Sequence, residues 1–188
     1  YLELCIRVRG DPGRAARALE RFAGRKDLAP TLRREVRLWI DSLRALERRS
    51  PGSGALDEAR ALLREARDSR RFGDARDALV YYLQASGVLH RFSAAEPAPA
   101  ASDRAEVYYL LGVIETQVGK SFWLSQAEAF LEAAIRTAPG EPAARRAYDL
   151  LEEFLVAGYT GSEGTHVPPD IAARLDELRV MAFGEPAA

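Results

Sequence analysis

Several groups of residues have types and spacings that could do chemistry. Gly119, Lys120 and Ser121 match the tail of a phosphate-binding loop, in which backbone amides and a lysine cradle nucleotide oxygens. Such a loop needs another glycine at position 114 and a strand ahead of it. The residue there is Ile114, and the upstream pattern is helical. Nucleotide binding through Lys120 is therefore not expected, and Phe122 and Trp123 read as an apolar plug over a pair of helices. Ser162, His166 and Asp170 have the types of a nucleophile, a general base and its orienting carboxylate. No strand-turn-helix elbow surrounds Ser162, so the segment reads as a structured loop in which His166 makes a local hydrogen bond.

His90, His166 and the lone Cys5 do not form a zinc signature. His90 closes a helix, where an imidazole interacts with the terminal carbonyls, and Cys5 reads as a small buried apolar side chain. Glu152 with Glu153, and Asp176 with Glu177, are carboxylate pairs. Neighbouring helix positions point apart, so these read as solvated surface rather than a paired acid and base. Tyr81-Tyr82 and Tyr108-Tyr109 could stack on bases. The net charge of −1 gives no basic field to draw nucleic acid, and no nucleic-acid partner is expected. No catalytic residue, metal or cofactor emerges from these motifs.

The elements that would position these residues all carry the helical period. The chain has 188 residues, of which 47% are apolar and 29% charged, enough for a sizeable core. Leu32, Val36, Trp39, Leu43 and Leu46 form one stripe at steps of three and four, with arginines around the rest of that helix. Ser50–Gly54 reads as a turn. Helices are predicted over 55–71 and 74–92, then a mobile Ala/Pro-rich connector, SAAEPAPAASD, over 93–103. Further helices are predicted over 104–118, 124–137 and 142–157, a Gly/Pro loop over 158–169, and a last helix over 170–182. No run is long and apolar enough to insert in a membrane. The first residue is Tyr1 rather than Met, as in a processed or partial chain, so compartment is open between cytoplasm and periplasm. Charge is uneven: residues 1–50 hold 13 Lys and Arg against 7 Asp and Glu, and residues 51–188 hold 14 against 21.

A repeat runs through this pattern. Tyr108, Leu111, Gly112, Gly119, Ala127, Leu131, Ala134 and Pro139 fall over 105–139 with a large residue, a close-crossing glycine, small residues and a closing proline. Leu62, Ala66, Gly73, Ala78, Tyr82 and Ala85 repeat that phase over 55–92, and Gly10, Ala15, Leu19 and Phe22 echo it. This pattern resembles the tetratricopeptide repeat. It departs at Glu115, where the family has an aromatic, and in a turn three residues longer than usual before Ala127. The resemblance implies an all-α fold, a single α-solenoid domain over 1–188 built of antiparallel helix pairs. Residues 1–50 would be its basic N-terminal helices, 55–92 and 105–139 its two repeats, and 142–188 a degenerate repeat or cap.

Folds of this kind generally serve as binding surfaces, so the resemblance implies a bacterial-type, non-catalytic scaffold or adaptor holding a protein partner on its concave face. The alternatives are an accessory or docking domain of a larger enzyme or electron-transfer assembly and, last, a hydrolase built on the 158–170 loop. In the family's register the groove is lined by one face of each first helix. That face carries Arg60, Leu63, Arg67, Arg70 and Arg71 in one repeat, and Glu106, Tyr109, Val113, Thr116 and Gln117 in the next. The arginines would make a positive field suited to an acidic segment of the partner, with Leu63 and Tyr109 as apolar anchors.

Overall fold

A computed structural model describes residues 1–50, 52–69, 78–118, 126–161 and 164–184. The chain divides into two compact units, 1–94 and 95–188. The division falls inside the stretch that the sequence marks as a connector.

The first unit opens with a short π-helical segment, Leu4–Val8, which buries Cys5 and Ile6. Helix α1, Pro12–Ala23, is started by Asp11, whose carboxylate accepts from the Arg14 amide at 2.7 Å, and by Pro12, whose fixed φ suits a first helical position. Helix α2, Pro30–Arg48, packs on α1. Its stripe buries Val36, Leu43 and Leu46, leaves Trp39 half-buried and exposes Leu32 near the helix start. The small Gly13, Ala15 and Ala16 of α1 allow the two helices to approach closely.

Helix α3, Ala55–Ser69, buries Ala59, Leu62 and Ala66 against α4, Leu79–Ser93. Arg49, just past α2, ties down α3 along two turns by pairing with Glu58 and, at 2.9 Å, with Glu65. The π-helical segment lies on α4. The contact is made where α4 has no side chain: a Cβ on Gly87 would sit 2.6 Å from the Arg7 carbonyl oxygen. Beside it the Arg7 guanidinium lies 3.1 Å from His90 Nε2. Burial first, and the Arg7 charge second, lower the His90 pKa, so the neutral imidazole accepts from Arg7.

In the second unit, α5 spans Ala101–Val118, α6 Ala127–Thr137, α7 Pro142–Gly158 and α8 Pro169–Phe183. Helix α5 packs on α6, α7 packs on both, and α8 packs on α6 and α7. Their shared core holds Leu131, Ala134, Ile135, Ala147, Tyr148, Leu151, Leu175 and Leu178. Gly112 lies under Leu131, whose Cδ2 would be 2.5 Å from an added Cβ. Tyr108 and Phe130 stack across α5 and α6 at 6.4 Å. Glu132 of α6 accepts from Arg136 at 2.8 Å and from Arg174 Nε of α8 at 3.0 Å, so one carboxylate holds two helices together.

Two expectations need correcting. The connector is shorter than 93–103, because α5 already begins at Ala101; Asp103 in its first turn favours a helix N-terminus. The 158–169 loop is not wholly irregular. It holds a two-residue hairpin, β1 Thr160–Gly161 against β2 Gly164–Thr165, with Gly164 at φ +107, a conformation that suits glycine.

Candidate partner-binding faces

The α5 residues predicted to face a partner are Glu106, Tyr109, Val113, Thr116 and Gln117, and the structure splits them. The N-terminal part of the face is covered by α7. Arg146 places its guanidinium 4.6 Å from the centre of the Tyr109 ring and donates to the Glu106 carboxylate, which is buried. Val113 is half-buried, and its carbonyl accepts from the Thr116 hydroxyl at 2.8 Å. Gln117 donates in turn to Thr116 Oγ1 at 3.1 Å. Beyond this point α5 and α7 leave a groove of about 670 Å³, lined by Thr116, Gln117, Leu150, Glu153, Phe154 and Tyr159, with Glu128 at the start of α6.

Leu150 and Phe154 are four residues apart on α7 and so share a face. Both are half-buried and give the groove an apolar floor. Tyr159, at the end of α7, is 38% exposed. The hairpin holds it there: the His166 amide donates to the Tyr159 carbonyl at 3.0 Å, and Thr160 and Thr165 join their hydroxyls at 2.9 Å. With Glu128 and Glu153 on its walls and no lysine or arginine among the described residues that line it, this part of the groove is acidic and apolar.

In the first unit, Arg60, Leu63 and Arg67 share one face of α3, beside the buried Ala59, Leu62 and Ala66. Arg60 pairs with Asp57 at 3.1 Å, Leu63 is half-buried and Arg67 is exposed. Arg70 and Arg71 lie outside the described residues, as do Gly119, Lys120, Phe122, Trp123 and Ser162.

The remaining motif residues have local partners or open surroundings. His166 is exposed and Asp170 sits in the first turn of α8. Each carboxylate pair diverges. Glu152 accepts from the Tyr148 hydroxyl at 3.0 Å while Glu153 faces the α5–α7 groove. Glu177 accepts from Arg136 at 2.9 Å while Asp176 faces a second groove, between α7 and α8. Tyr82 is buried, and Tyr81 is half-buried, its pKa raised by burial. Among the described residues no cluster of His, Cys, Asp or Glu could hold a metal ion, and no helix is long and apolar enough to cross a membrane.

Sequence reasoning missed Leu150, Phe154 and Tyr159. Their signal was present as an apolar pair at i and i+4 followed by an aromatic at the helix end, but apolar residues at that spacing equally describe a core-facing stripe. No protein-family model, curated protein or solved structure matches this chain.

Proposed function

We propose that this protein is a non-catalytic interaction module, a scaffold or adaptor of tetratricopeptide-like helix pairs that holds a segment of a partner protein. The observation that carries this reading is the groove between α5 and α7, two helices that would be successive first helices of a repeat array. It combines an apolar floor, Leu150 and Phe154, with hydrogen-bonding walls, Thr116, Gln117 and Glu153, the composition of a peptide-binding surface rather than of a reaction centre. In the first unit the α3 face of Arg60, Leu63 and Arg67 offers the opposite charge and takes an acidic segment of the partner.

Site-specific photo-crosslinking tests this reading. A crosslinking side chain at Phe154 or at Gln117 should capture the same partner segment, and one on the exposed Arg14 of α1 should not. Equal capture from all three positions, or capture from Arg14 alone, refutes the groove as the binding site. Arg60→Glu with Arg67→Glu should weaken capture in a salt-dependent way while helical content stays unchanged.

A further inference from the structure

The division into units separates charge more fully than the sequence alone suggests. Residues 1–94 hold 20 Lys and Arg against 13 Asp and Glu, a balance of +7. Residues 95–188 hold 7 against 15, a balance of −8. Each unit also carries a surface on which this imbalance is concentrated and apolar side chains are exposed.

On the second unit this surface is the groove between α7 and α8, with a volume of about 740 Å³. Its floor is Tyr148 and Phe183, packed edge to face at 5.6 Å, with Val180 beside them. Phe183 is 46% and Val180 43% exposed, so the floor presents apolar surface to solvent. Three carboxylates, Asp149, Glu152 and Asp176, and one cation, Arg179, border it. Glu152 is engaged by Tyr148. Asp149, Asp176 and Arg179 make no ion pair with any described residue.

On the first unit it is the outward face of α2. Arg34, Arg37, Leu38, Asp41 and Arg48 fall on one side of this helix by its 3.6-residue period. All five are exposed, Leu38 at 38%. Arg34, Arg37, Asp41 and Arg48 likewise have no ion-pair partner among the described residues. Three arginines and one aspartate around a leucine thus mirror three carboxylates and one arginine around an aromatic floor. From Arg34 to Arg48 the face is about 21 Å long at 1.5 Å per residue, the scale of a helix laid along a groove.

We infer that the α7–α8 groove of one molecule receives the α2 face of a second copy of this chain. The contact is heterologous, with different surfaces meeting, so it builds head-to-tail pairs or longer assemblies. Leu38 enters against Phe183 and Val180, arginines face Asp149 and Asp176, and Asp41 faces Arg179. The contact is independent of the α5–α7 groove, which stays open to a partner.

Sedimentation velocity of the full chain over a concentration series tests this inference. Self-association should be evident at about 0.1 M salt and largely lost near 1 M, where the screening length falls from about 10 Å to about 3 Å. Arg34→Glu with Arg37→Glu, and separately Asp149→Arg with Asp176→Arg, should each weaken self-association at least tenfold, since like charges then meet. Both doubles change exposed side chains and should keep the wild-type circular dichroism spectrum. Mixing the two doubles should restore association, because the native groove of one meets the native α2 of the other, and the two reversed faces also complement each other. A wild-type protein that stays monomeric at every salt and concentration overturns the inference. So does association that either double leaves unchanged, or a mixture that fails to recover it.

Discussion

Replacing Gly87 by alanine should destabilise the first unit, although alanine is the better helix former. In the interior of α4, Gly→Ala gains about 1 kcal/mol of helix propensity. Against this, the new Cβ would lie 2.6 Å from the Arg7 carbonyl oxygen, 3.1 Å from Arg7 Cα and 3.2 Å from its carbonyl carbon. Carbon and oxygen in contact sit near 3.3–3.6 Å, so the backbones must separate by roughly 0.7 Å. The obstructing atoms are main chain and cannot rotate away, so the overpacking cost lies at the upper end of the usual range, about 3 kcal/mol. The net loss is about 2 kcal/mol, a fall in midpoint of about 8–16 °C for a unit of this size. Gly158→Ala, in the last turn of α7, is the control: an added Cβ there meets nothing within 4 Å, so its net effect should stay within about 1 kcal/mol. Urea unfolding followed by circular dichroism gives the stabilities, and hydrogen exchange over 1–10 and 79–93 localises the loss. If Gly87→Ala matches or exceeds the wild type, or costs no more than Gly158→Ala, the reasoning fails and the N-terminal segment is not held against α4.

The His90 pKa is lowered, so its contribution to stability is complete above the unfolded value of about 6.5 and is lost as pH falls through the folded value. Unfolding of the first unit should ease as pH falls below about 6.5, the unfolded value, and His90→Gln should flatten that slope. Glu132 is pushed up by burial, but Arg136 and Arg174 outweigh this and hold its pKa below the ordinary carboxylate range. With those partners 31–40% exposed, Glu132→Gln should cost the second unit only about 1–2 kcal/mol at neutral pH. That cost should vanish at a pH low enough to protonate the wild-type carboxylate. Residues 94–98 are exposed and lie at the unit boundary. Brief proteolysis should cut there and release two helical halves, and survival of the intact chain would contradict this.

Much of the helical layout was legible in the sequence, because burial on one side of a helix leaves a 3.6-residue stripe. Val36, Leu43 and Leu46, Leu62 with Ala66, and Gly112 beneath Leu131 occupy positions that periodicity and the repeat pattern assign to packing. Other features depend on tertiary fit and leave no such trace. The π-helical register of Leu4–Val8 accompanies a close approach to Gly87, which is 79 residues further along the chain at Val8. A hairpin of two-residue strands is too short to show alternation. The basic N-terminal bias is visible at residue 50, but the full opposition appears only when the boundary is placed at 94. The candidate groove was half legible: α5 contributes Thr116 and Gln117 in the expected register, while its α7 wall could not be told from core.

Arg146 has a consequence for how fast the α5–α7 groove can be filled. Its guanidinium clasps Glu106 and the Tyr109 ring upstream of the opening, which fixes the spacing of the two helices before any guest arrives. Under the proposed reading, a slot held in this way needs no rearrangement of its host on encounter, so association would proceed in one step at a rate set by diffusion and charge. Loosening that clasp, as in Arg146→Ala, would turn a rigid receptor into one that must first find its binding shape. Its on-rate would drop by the fraction of time the slot is closed, with the walls of the slot themselves unaltered.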